Sequence, residues 1–140
     1  MPTVYHHIIV AIDFSEQAKK AYQRAVEIAN STNATLHLVS VVDTYSNASV
    51  ETFDRKYAVK IHDEYAQKLE IYKQKAIESG VTHVLTHVEF GSPKQILTNF
   101  EKAELIVIGA TGLNAAQRFI LGSVSSNVVR HAKCDVLVVK

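Results

Sequence analysis

With 140 residues, 47% of them hydrophobic and 21% charged, the chain has the size and balance of one soluble globular domain. Fifteen basic residues against fourteen acidic ones leave a net charge of +1, which removes the electrostatic case for DNA or RNA as a main partner. The single cysteine, Cys134, excludes an internal disulfide, the first residues lack a signal-peptide layout, and no apolar run reaches the roughly 20 residues that span a bilayer, so a cytoplasmic protein without a membrane partner is expected.

Ile8-Ile9-Val10-Ala11-Ile12 is a short, mostly β-branched apolar run ending at Asp13, the pattern of a buried parallel strand. Ser15 can cap the helix that follows, and Ala18, Ala21, Tyr22, Ala25, Ile28 and Ala29 recur at helical spacing until Asn30-Ser31-Thr32-Asn33 breaks the pattern. Leu36 to Val42 reads as a second strand closing at Asp43, and the polar stretch from Thr44 to about Arg55 reads as the longest loop. Ala58, Ile61, Tyr65, Leu69, Tyr72 and Ala76 then mark a long amphipathic helix, with Gly80 placed as its C-terminal glycine.

Val81 to Phe90 alternates apolar and polar residues, as a half-exposed strand at a sheet edge would. Ser92-Pro93 predicts a cap and first position for a short helix carrying Ile96, Leu97 and Phe100. Leu105-Ile106-Val107-Ile108 is another buried strand, Val124 to Val129 a helix, and Asp135 to Lys140 a final strand. Strands alternating with helices imply a parallel sheet covered on both faces, with ligands bound beyond the carboxyl ends of the strands.

One motif falls at such an end. Gly109-Ala110-Thr111-Gly112 follows the buried strand, and Gly122-Ser123 opens the next helix. Glycine lets backbone approach a ligand without a clashing β-carbon, and the free N–H groups of a first helical turn favour an anion. The spacing is neither G-x-G-x-x-G nor the Walker pattern, and no lysine follows Gly122. Asp13 and the Val41–Asp43 segment lie at neighbouring strand ends.

These residues together resemble the universal stress protein family over nearly the whole chain, from about Tyr5 to Lys140. The likeness rests on Val10-Ala11-Ile12-Asp13-Phe14-Ser15, on Val39-Ser40-Val41-Val42-Asp43, on Phe90-Gly91-Ser92-Pro93, and above all on Gly109-x2-Gly112-x9-Gly122-Ser123, which matches the G-x2-G-x9-G-[ST] pattern of the family's ATP-binding branch. The resemblance implies residues 1–140 as one domain of that family. The implied architecture is a single-domain, Rossmann-like, three-layer α/β/α fold with a five-stranded parallel sheet in order 3-2-1-4-5, of the adenine nucleotide alpha hydrolase-like kind.

The ligand it implies is ATP with Mg2+. By position, Asp13 would lie near the ribose and adenine, with Ala11 and Ile12 lining the pocket and the Val41 backbone reading the adenine edge. Gly109 and Gly112 would pass beneath ribose and phosphates, and Gly122, Ser123, Val124 and Ser125 would hold the phosphates through N–H and hydroxyl groups. Ser40 departs from the histidine of many relatives, and Ala11 and Ile12 depart from the proline and threonine of some ATP binders. The family also implies a homodimer through the last strand, whose apolar edge at Val136-Leu137-Val138-Val139 needs a cover.

Plainer readings stand beside these. Asp13 and Asp43 can be strand terminators, Ser123 and Ser125 ordinary helix-start residues, and Arg118 and Lys133 solvated charges. His83 and His87 have the spacing of a helical metal pair, but on a strand four residues span about 13 Å, too far for one ion. The remaining histidines form no evident cluster, and Cys134 reads as a buried, inert thiol. Three functions follow: a nucleotide-dependent regulator of stress adaptation, a slow ATPase or phosphoryl- or adenylyl-transfer enzyme, and a dimeric interaction module with incidental nucleotide binding.

Overall fold

The computed structural model describes residues 5–44, 55–112 and 121–140. Strands and helices alternate as β1 (His7–Ala11), α1 (Glu16–Thr32), β2 (Thr35–Asp43), α2 (Arg55–Glu78), β3 (His83–Gly91), α3 (Pro93–Thr98), β4 (Leu105–Gly109), α4 (Ser123–His131) and β5 (Asp135–Val139). The five strands form one parallel sheet in the order β3-β2-β1-β4-β5, the topology expected from the sequence.

The continuous apolar runs of β1 and β4 exist because both faces of the central strands are covered. Ile8, Val10, Leu36, Leu38 and Val107 point into one core, closed by Ala21 and Ala25 of α1 and by Leu69 and Ala76 of α2. Ile9, Val39, Ile106 and Ile108 point into the other, closed by Leu97 of α3 and Val128 of α4. Register keeps each layer in step, with Ile8 beside Leu36 and Leu105, and Val10 beside Leu38 and Val107. Full burial of such a side chain contributes about 1.5–3 kcal/mol relative to exposure, so these central strands anchor the sheet.

The ends of the elements show where local chemistry matters. Ser15 caps α1 as expected, its Oγ accepting the Ala18 N–H at 3.1 Å. The polar run from Asn30 does not break this helix at once: it continues through Thr32, with the Ser31 and Thr32 hydroxyls bonding back to the Ile28 carbonyl, and the chain turns only at Asn33 in the left-handed region. Gly80 follows α2 with φ +116°. Ser92 stands at the N-cap of α3 with Pro93 next, but its side chain makes no capping bond, and Phe100 lies beyond the helix end. β3 is the edge strand predicted, with Leu85 and Phe90 about half exposed. Most of the long loop expected after Thr44 lies outside the described residues.

Candidate functional site

The strand order reverses between β1 and β4, and the helices that follow them leave toward opposite faces, α1 to one core and α4 to the other. That divergence opens a crevice at the carboxyl ends of the two strands. Ala11, Ile12, Asp13, Gly109 and Gly112 lie around it, and Gly122 reaches it through its N–H, which donates to the Ala110 carbonyl at 2.8 Å.

Asp13 is fixed by the start of α1. Its Oδ1 accepts the Ser15 N–H at 3.0 Å and the Ser15 hydroxyl at 2.5 Å, so Ser15 passes the capping bond from Ala18 on to the carboxylate. The other oxygen, Oδ2, faces Gly112, where an added β-carbon would stand 2.7 Å from it. Phe14, the next residue, adopts φ 65°, a left-handed conformation that a bulky side chain enters only when its surroundings hold it there. Its ring packs 5.0 Å from the Tyr65 ring of α2, and the Lys68 ammonium sits 4.9 Å from the ring centroid. The Tyr65 hydroxyl is pushed up by burial and then by the charge of Asp13, which places α2 at the same corner.

Ala11 ends β1 beside Val39. The Ile12 N–H adds one more bond to the Val39 carbonyl at 2.8 Å, and its side chain is buried in the core shared with α1 and α2. Ser40, buried beneath this corner, donates its hydroxyl to the Ile12 carbonyl at 2.7 Å and so ties β2 to the end of β1. Because the Val39 carbonyl points at β1 and strands repeat every second residue, the Val41 N–H and C=O point the same way, past the point where β1 has ended.

The glycines differ in why they are glycine. A β-carbon on Gly109 would lie 2.9 Å from the Gln17 carbonyl carbon, so α1 and β4 close together only without it. Gly122, at φ −63°, would meet nothing nearer than Thr111 Cα at 3.5 Å, an ordinary contact. It opens α4 without a side-chain cap, and the N–H groups of Ser123, Val124 and Ser125 in the first turn have no carbonyl within the helix to bond. The buried Ser125 hydroxyl donates inward to the Gly109 carbonyl at 2.6 Å, so its proton is committed to joining α4 to β4.

Other expectations change. The histidines do form a cluster: His7, His37 and His87 from three adjacent strands bond to one another, a row that arises only once β1, β2 and β3 are paired. His83 is exposed on β3 and takes no part in it. Cys134 is half-buried rather than enclosed, its thiol pushed up by that burial and by Asp135, which keeps it protonated. Lys133 is exposed, and Arg118 lies outside the described residues. Among the described residues no group of three His, Cys, Asp or Glu side chains is placed to hold a metal ion, and no helix is long and apolar enough to cross a membrane. Sequence reading gave Ser15 only as a cap and Ser40 only as a departure from relatives; it missed the Ser15 bond to Asp13, the Ser40 bond to Ile12, and the contacts of Phe14 and Tyr65 at this corner. The Ser-after-Asp spacing was a visible signal for the first, while the others depend on long-range contacts.

Known proteins share this arrangement. The chain superimposes on the solved structure of universal stress protein UspA from Lactobacillus plantarum with a TM-score of 0.90 at 28% identity, covering 99% of this chain and 100% of that one. A universal stress protein solved in complex with cAMP matches with a TM-score of 0.74 at 27% identity, covering 98% of each chain. In sequence it is 44% identical over 140 residues to a protein of Staphylococcus aureus (strain USA300) named as a universal stress protein, spanning 97% of this chain and 84% of that one. The model of the universal stress protein family matches residues 4–140, a span that takes in every strand of the sheet, and the chain belongs to that family.

Proposed function

We propose that the crevice between the ends of β1 and β4 binds ATP with Mg2+, and that the protein acts in the cytoplasm as a homodimeric, nucleotide-dependent regulator of stress adaptation. The observation that carries this reading is the pairing of Asp13 with a β-carbon-free Gly112 beside an uncapped α4 N-terminus. These groups fit a nucleotide. A carboxylate suits ribose hydroxyls, first-turn N–H groups suit phosphate, and a glycine backbone allows close approach between them. The relative solved with cAMP supports an adenine nucleotide as the ligand class.

In this reading Ala11, Ile12 and Val41 border the adenine, with the Val41 backbone offering one donor and one acceptor past the end of β1. Gly109 and Gly112 would bring backbone beneath the ribose and phosphates, Ser123, Val124 and Ser125 present N–H groups to the phosphates, and Gly122, whose N–H is held by the Ala110 carbonyl, leaves open space beside them. Mg2+ would neutralise phosphate charge, and Asp13 supplies a hard oxygen nearby. Residues 1–140 form one domain in this proposal, and half-buried Val136, Leu137 and Val138 on the β5 edge supply the dimer contact.

Calorimetric titration of MgATP into nucleotide-stripped protein tests the ligand. The wild type is expected to bind and Gly112→Val to lose binding, since its side chain would occupy the space beside Asp13. A folded wild-type protein that takes up no adenine nucleotide would overturn the proposal.

A further inference from the structure

His7 on β1, His37 on β2 and His87 on β3 form a row across the sheet face that packs on α3. His7 Nδ1 lies 3.0 Å from His37 Nε2, and His37 Nδ1 lies 2.9 Å from His87 Nε2. Ring centroids are 5.3 and 5.2 Å apart along the row, and the Phe100 ring stands edge-on to both His37 and His87. His7 pairs with Thr35 and His87 with Val39, so the row climbs by two residues per strand toward the carboxyl ends. His37, in the middle, is 4% exposed.

A single metal ion does not explain the row. His37 turns a different nitrogen to each neighbour, so no one point meets all three rings, and both gaps have hydrogen-bond length. Proton counting does explain it. A neutral imidazole carries one N–H and one acceptor nitrogen. Three neutral rings therefore hold three hydrogens, one in each gap and one on an outer nitrogen, either Nε2 of His7 or Nδ1 of His87. A fourth hydrogen fills the other outer nitrogen and leaves both bonds intact. A fifth has to enter a gap that already holds one, and two N–H groups then face each other.

We propose that His7, His37 and His87 act as one proton-binding unit, an acid-sensing element that takes up one proton with both cross-strand bonds intact and breaks one of them on taking up a second. The surrounding groups direct the first proton outward. Lys102, from the loop between α3 and β4, opposes charge on His37, as do the two neighbouring imidazoles. Burial pushes His87 down, and Glu89 on β3 offsets part of that. At the foot of β1, Glu104 accepts the His6 and His7 N–H groups at 2.6 and 2.8 Å and lies in the field of both side chains. Lys94 and Glu101, on α3 and the loop after it, are exposed to solvent. Burial, then His87, His7 and Lys102, push His37 down to about 4, so the middle ring is the last to charge. Among the described strands β3 is the outermost of the row and pairs with β2 alone.

The test is nitrogen NMR of wild-type protein labelled at its histidines, titrated from mildly alkaline pH down past the His37 value of about 4. The expected result is a through-hydrogen-bond nitrogen–nitrogen coupling in each gap, both retained through uptake of the first proton, with one lost on the second. Three independent titrations near the ordinary value of about 6.5, without couplings, would overturn the proposal. So would two couplings that persist once two protons are bound. In a His37→Phe variant the outer rings are expected to titrate independently and at shifted pH. His7 and His87 curves identical to wild type would show that the row is not a unit. The wild-type measurement decides the matter even where the variant does not fold.

Discussion

The Oδ2 oxygen of Asp13 lies 2.7 Å from the point where a β-carbon on Gly112 would stand. The end of β1 and the chain leaving β4 therefore meet at a distance that only glycine allows. Gly112→Ala should cost about 1–3 kcal/mol of stability through overpacking, and it should weaken MgATP binding about tenfold or more. Removing the opposing carboxylate makes room, so in an Asp13→Ala background the stability penalty of Gly112→Ala should shrink. Denaturant unfolding of the four proteins in that cycle reads the coupling, and simple additivity would show that the two residues do not constrain each other.

Gly109 and Gly122 should differ in what an added β-carbon disturbs, the fold at 109 and the ligand space at 122. Alanine at 109 meets the Gln17 backbone at 2.9 Å, whereas alanine at 122 meets nothing closer than 3.5 Å at an ordinary φ. Gly109→Ala is expected to lower stability by about 1–3 kcal/mol. Gly122→Ala should leave the denaturation midpoint nearly unchanged while reducing nucleotide affinity, because its open side is where phosphate is proposed to lie. Equal losses of stability in the two variants would contradict that division.

Ser15 joins the cap of α1 to the carboxylate of Asp13. Ser15→Ala should cost about 1 kcal/mol, the usual value of an N-cap. It should also weaken nucleotide binding at a distance by releasing Asp13. Calorimetry and thermal unfolding on the same sample would detect both effects, and a purely thermal change would mean Asp13 holds its place unaided.

The position of His37 predicts an acid-dependent loss of stability. Its folded value is pushed down to about 4 from an ordinary 6.5, first by burial and then by its charged neighbours. Above 6.5 the ring is neutral in both folded and unfolded chains and contributes no pH dependence. As pH falls from 6.5 toward about 4, the unfolded chain binds a proton that the folded one refuses, so stability declines through that window and levels off below it. A single uncoupled ring would lose roughly 1.4 kcal/mol for each pH step between the two values, and sharing of the proton along the row reduces that slope. Urea midpoints measured across that window should slope downward in the wild type and less steeply in His37→Phe. Parallel slopes would remove His37 as the cause.

The β5 edge carries the proposed dimer contact. Val138→Pro removes a strand N–H and should convert the protein to monomers in sedimentation. A dimer mass that survives the substitution would move the interface elsewhere.

Much of this architecture follows from pattern alone. Ile8 to Ile12 and Leu105 to Ile108 read as doubly buried strands because a central parallel strand has no solvent face. Val81 to Phe90 reads as an edge strand because its alternation reports one covered side. The spacing of Gly109, Gly112 and Gly122 marked the crevice, since a strand end, a turn and a helix start are local features that neighbouring residues encode.

Tertiary structure decided the remainder. Residues 7, 37 and 87 become neighbours through strand order and register, which no local pattern contains. Likewise Gly109 is needed because of Gln17, and Gly112 because of Asp13, across separations in sequence that only the folded chain closes. Local propensity and hydrophobic period arise from residues a few positions apart, so they determine elements and their order. Distances of closest approach, hydrogen-bond partners and shifted acidities arise from packing between elements, and only the assembled sheet sets them.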